Sequence, residues 1–298
     1  VKRASLLAGV ALLPVGAALW WAGLGVRFEL EWPDRRPIGA LFLSSSGHTS
    51  QTNPRGWLND PRLDVTKPEG RKVLHMRFLE YAARSVGILR EMNAQGMVVW
   101  DLEGQQTDGY TGDPRLAETL APEWRGVLDA FFARFREAGL RVGVTVRPER
   151  YDGRRQRFAW DPARVLREKV GYARARWGAT LFYVDSNRVG PVPLPAAVLR
   201  SVAKEFPDVL LIPEHEMPGD YAVAAPLWIC GRSYGNPAPL VRTLWPRAFC
   251  VVALGDCRME EHQEEWRRAV RAGDVLLFPA WFAARENAWI RELYEGAK

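Results

Sequence analysis

Short apolar runs that end in polar or charged residues recur along the chain. Met97–Trp100 leads into Asp101, Arg141–Val146 into Arg147, Thr180–Val184 into Asp185, and Val209–Pro213 into Glu214. A similar run, Val275–Phe278, stops just short of Trp281. Continuous Val/Ile/Leu stretches of this length mark parallel strands covered on both faces. Further strands are expected over 38–43, 227–232 and 248–254. Between the runs the period changes: Val73, Phe78, Ala82, Val86 and Leu89 fall near helical spacing, which predicts a helix over 71–93. Other helices are expected over 123–138, 163–177, 194–205, 260–272 and 284–296. Several carry their own boundaries: Pro122 and Gly139 around the second, Asp161-Pro162 and Gly178 around the third, and Gly96 after the first. Little helical pattern links the fifth strand to the sixth or the sixth to the seventh.

Eight strands alternating with helices, joined by right-handed crossovers, close most simply into a (β/α)8 barrel, here a single domain over residues 38–298. The chain has 298 residues, and such barrels typically take about 250. An open doubly wound sheet is the competing architecture. It calls for a Gly-rich phosphate turn after the first strand, where this chain has Ser44-Ser45-Ser46-Gly47-His48.

Ahead of the barrel, Lys2 and Arg3 precede an uncharged apolar run over residues 4–26. At about 1.5 Å per residue this run is long enough to span a bilayer core. Residues 1–26 therefore read as a signal peptide or membrane anchor, the basic end cytoplasmic and the remainder exported to the periplasm or beyond. Residues 27–37 read as a linker or an extra edge strand.

Composition narrows the chemistry. The formal charge of +6 is spread along helices, so a solvated helical face fits it better than a nucleic-acid stripe. Neither the three Cys nor the four His show metal-ligand spacing. Cys230 and Cys250 fall on adjacent expected strands and read either as two buried thiols or as a disulfide. The thirteen Trp are many for this length. Some must be core, while Trp57, Tyr110, Trp228 and Trp281 are candidate platforms for sugar rings.

A barrel gathers the residues that follow its strands at one mouth, here Asp101, Glu103, Arg147, Asp185, Asn187, Glu214, Glu216 and Trp281. A pair of carboxyl groups on neighbouring strands is what glycoside hydrolysis needs, one ionised as nucleophile and one protonated as general acid. Asp185 is the nucleophile candidate, with Asn187 and Arg188 placed to keep it ionised. Glu214 and Glu216 compete for the acid role, since residues two apart in an extended segment point the same way. Asp101 and Glu103 repeat that spacing and read either as ligands for sugar hydroxyls or as an alternative catalytic pair. Arg147 reads as a charge partner for a carboxylate or a grip on an acidic sugar. The long 44–59 loop, with His48 and Trp57, reads as a lid or subsite wall.

Phe182-Tyr183-Val184-Asp185-Ser186-Asn187 resembles the nucleophile strand of retaining α-glycosidase barrels such as the α-galactosidases and endo-α-N-acetylgalactosaminidases. Gly143-Val144-Thr145-Val146-Arg147-Pro148 is similar to their preceding strand. The resemblance spans about residues 141–216 and implies Asp185 as nucleophile and Glu214 as acid/base. It departs in that many α-galactosidases take an Asp acid from a later strand.

The reading is thus a glycoside hydrolase acting on an extracellular or cell-envelope oligo- or polysaccharide, with no metal or organic cofactor. The alternatives are a catalytically silent carbohydrate-binding barrel of an envelope complex, and a metal-dependent hydrolase built on His48, Asp101, Asp185 and His215.

Overall fold

Eight parallel strands run in the order β6-β7-β8-β1-β2-β3-β4-β5. They are β1 (Ile38–Phe42), β2 (Gly96–Trp100), β3 (Arg141–Val146), β4 (Leu181–Val184), β5 (Leu210–Pro213), β6 (Leu227–Ile229), β7 (Val251–Ala253) and β8 (Val275–Phe278). β1 pairs with both β2 and β8, so the sheet curls round into a nearly closed (β/α)8 barrel. Between β5 and β6 the Ala225 amide donates to the Leu211 carbonyl at 2.9 Å. The computed structural model describes residues 30–43, 63–104, 110–229, 239–253, 261–278 and 284–296. Around the barrel lie α1 (Pro68–Glu91), α2 (Leu128–Glu137), α3 (Pro162–Trp177), α4 (Ala196–Glu205), α5 (Pro239–Leu244), α6 (Gln263–Arg271) and α7 (Ala284–Glu295).

Side chains alternate across each strand. Ile38, Ala40, Val98, Trp100, Leu181, Tyr183, Leu210, Ile212, Val251, Val275 and Leu277 form the inner core. Met97, Val99, Val142, Val144, Phe182, Leu211 and Leu276 belong to the outer core, which packs under the helices. Barrel interiors filled in this way are packed cores rather than pores. Neighbouring strands approach closely: a Cβ on Gly143 would lie 2.1 Å from the Leu181 carbonyl oxygen.

Much of the tryptophan content is structural. Trp124, Trp177 and Trp266 are fully buried. Phe78 stacks between Trp124 and Phe131, at centroid distances of 4.2 and 4.1 Å. Trp228 is half-buried and packs against the outer core.

Helix boundaries follow local chemistry. The Asp161 side chain caps α3 through the Arg164 amide at 2.9 Å, and Gly178 ends it at φ +65°. α1 stops differently from expectation. Asn93 takes the left-handed turn at φ +55°, and Gly96 instead opens β2.

Residues 30–37, the described part of the 27–37 segment, pack onto the barrel. They form no strand, and Leu30 and Trp32 join the inner core. Trp32 Nε1 donates to Gln95 Oε1 at 3.0 Å, and Gln95 Nε2 donates to the Arg36 carbonyl at 2.6 Å. The segment therefore plugs the end of the barrel where β2 begins, opposite the mouth. The connection from β5 to β6 holds only a 3-10 turn, Pro218–Ala222. Cys250 is buried and free; Cys230 lies outside the described residues. Among the described residues no helix is long and apolar enough to cross a membrane, and residues 4–26 are not among them.

Candidate active site

Arg147, Asp185 and Glu214 follow Val146, Val184 and Pro213, the last residues of β3, β4 and β5. Strand alternation turns all three inward, one step above Thr145, Tyr183 and Ile212. The backbone ladder continues past the strand ends and fixes their register. The Asp185 amide donates to the Val146 carbonyl and the Glu214 amide to the Val184 carbonyl, each at 3.0 Å.

The Asp185 carboxylate is surrounded by donors. Arg147 Nε donates to Oδ2 at 2.8 Å, the Tyr110 hydroxyl donates to the same oxygen, and Ser186 Oγ donates to Oδ1 at 3.1 Å. Tyr110 also lies under the Arg147 guanidinium, 4.6 Å from its ring centroid. Glu214 stands on the neighbouring strand end, and the two carboxyl groups influence each other's titration. One Glu214 oxygen accepts the Ser186 amide at 2.9 Å and lies 3.3 Å from His215 Nε2. Ser186 presents that amide from a left-handed backbone at φ +53°.

These surroundings drive the two carboxyl groups apart. Burial raises Asp185, but the bond to Glu214, the Arg147 charge and the Tyr110 hydroxyl outweigh it and hold the group below its ordinary value. Glu214 is pushed up to about 7 by burial and by its bond to Asp185, against the opposing Ser186 amide and Arg188 charge. Below about 7 the pair therefore combines an ionised Asp185 with a protonated Glu214. Exposure divides the same way: the Asp185 side chain is 9% exposed and that of Glu214 30%. Beneath them Trp100 and Tyr183 meet at 4.7 Å, an aromatic floor. An ionised carboxylate beside a reachable protonated one can serve as nucleophile and proton donor.

The other expected site residues are drawn into holding the loops. Asp101 adopts φ +45°, is buried, and accepts the Leu43 amide at 2.8 Å. That turn breaks strand alternation, so Glu103 does not share its direction. Glu103 is buried instead against Thr111 Oγ1 at 2.8 Å and the Gly112 amide. Asn187 is buried and forms a two-bond bridge to the His215 backbone, Nδ2 to O at 2.7 Å and N to Oδ1 at 2.8 Å. Glu216 accepts the Tyr221 hydroxyl at 2.6 Å; β5 has already ended at Pro213, so the two-residue rule does not carry Glu216 toward Asp185. All four residues thus take part in ordering loops. Trp57, Trp281 and His48 lie outside the described residues. Among those described, no three His, Cys, Asp or Glu gather as a metal site.

Lys169 was not foreseen. It is fully buried, and its ammonium donates to the carbonyls of Arg147 and Glu149, both at 2.8 Å. It thereby clamps the segment that aims Arg147 at Asp185. The signal was present: Lys169 is the one charged residue within the apolar stripe Val165, Leu166, Val170, Ala173 and Trp177. Ser186 left no comparable trace, because its role rests on its backbone conformation.

No protein-family model and no curated protein sequence matches the chain. Solved structures do. The chain is similar to α-L-fucosidase isoenzyme 1 from Paenibacillus thiaminolyticus, with a TM-score of 0.54 at 11% identity over 92% of this chain and 76% of that one. Thermotoga maritima α-fucosidase gives 0.49 at 13% identity, over 93% and 74%. A GH36 α-galactosidase from Geobacillus stearothermophilus gives 0.48 at 12%, over 92% and 43%. At such identities the first of these speaks to the fold, the (β/α)8 barrel.

Proposed function

We propose that this chain is a glycoside hydrolase in which Asp185 is the nucleophile and Glu214 the general acid/base. The observation that carries the proposal is the Asp185–Glu214 pair itself, on adjacent strand ends, with Asp185 held below and Glu214 lifted above its ordinary value. Asp185 attacks the anomeric carbon as the bond to the leaving oxygen breaks, and Glu214 delivers its proton to that oxygen. A water then gives its proton to Glu214 and attacks the glycosyl–Asp185 ester, which releases the sugar and restores both carboxyl groups. Retaining enzymes hold such a pair roughly 5–5.5 Å apart. With substrate bound, the glycosidic oxygen is the acceptor of the Glu214 proton.

The fucosidase and galactosidase names among the structural neighbours make aryl α-L-fucosides and aryl α-D-galactosides the first substrates to assay. Release of the aryl alcohol by the wild-type chain, and its loss in Asp185→Asn with an unchanged melting temperature, is the expected result. Undiminished turnover in Asp185→Asn removes the mechanism. Glycan binding without turnover in either protein favours a silent binding barrel. The apolar residues 4–26 behind Lys2 and Arg3 support action on the exported side of a membrane. Recovery of the full-length chain in the cytosolic fraction overturns that placement.

A further inference from the structure

Two short hairpins stand on the rim beside the candidate pair, and the reading above gives them no task. The first, Arg150–Tyr151 paired with Gln156–Arg157, follows β3; the second, Arg188–Val189 paired with Val192–Pro193, follows β4. They therefore rise from the strands that deliver Arg147 and Asp185. The first is tied to the site directly, since Gln156 Nε2 donates to the Tyr110 carbonyl at 3.2 Å and the Tyr110 hydroxyl reaches Asp185.

Their surface is unusual in two ways. Large apolar side chains stand in solvent: Trp160 is 102% exposed, and Phe158 54%. Ala159 between them is buried, so in this extended stretch the two rings leave the surface on one side. Val189 and Val192 are exposed on the second hairpin. The charge is also one-sided. Arg157 pairs with Asp152 at 2.6 Å and Arg150 reaches Glu168 at 3.6 Å. Arg154, Arg155 and Arg188 are exposed and form no ion pair among the described residues, although the Arg188 charge also acts on Glu214. Exposed aromatics beside uncommitted guanidinium groups suit a ligand with flat apolar ring faces and negative charge.

We propose that this rim is an outer subsite for an acidic glycan. Trp160 and Phe158 stack on sugar rings, while Arg154, Arg155 and Arg188 bind the carboxylate or sulfate groups of the chain whose end reaches Asp185 and Glu214. The continuity from the hairpin through Gln156 and Tyr110 to Asp185 favours a glycan over an anionic lipid surface. The proposal rests on the hydrolase reading for its direction along the substrate, but its test does not need turnover.

Calorimetric titration of the full chain carrying Asp185→Asn is the experiment, with galacturonate, guluronate and sulfated galactose tetrasaccharides as probes beside neutral tetrasaccharides. At least one acidic tetrasaccharide binds more tightly than the neutral ones, and its affinity falls with added salt. Adding Trp160→Ala weakens it about tenfold, and Arg154→Ala with Arg155→Ala removes most of the salt dependence. In the Asp185-containing protein, Trp160→Ala leaves turnover of a small aryl glycoside unchanged. Equal affinity for acidic and neutral chains, indifference to Trp160→Ala, or preferential binding to phosphatidylglycerol vesicles overturns the proposal. An absence of aryl glycoside turnover in wild type, with acidic tetrasaccharide binding intact, instead removes the hydrolase reading and leaves the subsite standing.

Discussion

Arg147 Nε donates to Asp185 Oδ2 at 2.8 Å, and its charge helps hold Asp185 below its ordinary value while burial lifts Glu214 on the neighbouring strand end. Because Glu214 is pushed up to about 7, its proton is lost as pH rises through neutrality. Turnover is therefore expected to fall on the alkaline side of about 7, with full acid catalysis below it. Glu214→Gln abolishes this limb and confines turnover to aryl glycosides whose leaving groups need no proton. A limb near 7 that persists in Glu214→Gln assigns the acid to another group.

Arg147 is predicted to act on Asp185 through charge. Arg147→Met removes a cation and a directed Nε–H from a largely buried carboxylate, so the Asp185 carboxyl rises. The expected loss is about a hundredfold in kcat, the scale seen when one preorganised electrostatic partner is deleted, with a smaller change in KM. Arg147→Lys recovers part of it, since a point charge lacks the planar group that covers the Tyr110 ring. A KM effect alone would make Arg147 a substrate grip instead.

The parts of this site that could be read from sequence are those in which one side chain continues a strand. Asp185, Glu214 and Arg147 each directly follow an apolar run, and alternation carries them inward. Asp101 also follows such a run, yet its positive φ and its bond to the Leu43 amide turn it into a loop anchor. A carboxylate at a strand end has two competing uses, a ligand or a neighbouring backbone N–H, and composition does not separate them. The bonds made by Asn187 and Glu216 were not legible for a related reason. Spacing in the loop after β5 is governed by the Asn187–His215 bridge and the Pro218–Ala222 turn rather than by strand periodicity. The barrel itself was legible because each boundary rests on local chemistry, as with Asp161, Pro162 and Gly178 around α3.

Asn187→Ala removes both halves of that bridge. The His215 N–H and C=O lose partners in a half-buried loop, so a destabilisation of about 1–3 kcal/mol is expected, read from the urea midpoint. Turnover falls in parallel because His215 directly follows Glu214 and fixes its backbone. A variant as stable as wild type shows that water satisfies the His215 backbone, and that the bridge is not what holds Glu214 in place.

Lys169 gives the clearest pH-dependent stability prediction. Burial pulls its ammonium down to about 8, against Asp113 and Glu103, whose charges favour the protonated form. In the unfolded chain it titrates near its ordinary value, so between about 8 and 10.5 the unfolded state binds more protons than the native state. This group therefore makes stability rise with pH in that window. Tyr183 and Tyr294, lifted mainly by burial, act in the opposite sense, so the Lys169 contribution is visible as a difference between proteins. Lys169→Met lacks the rise: the wild-type minus variant urea midpoint increases from pH 8 to 10. At pH 7 the variant is less stable by about 3–5 kcal/mol, the usual cost of removing one partner from a buried charged cluster, because the Arg147 and Glu149 carbonyls lose their donor. A difference that stays flat across this range shows that Lys169 keeps its proton in both states and acts as a fixed clamp on Arg147.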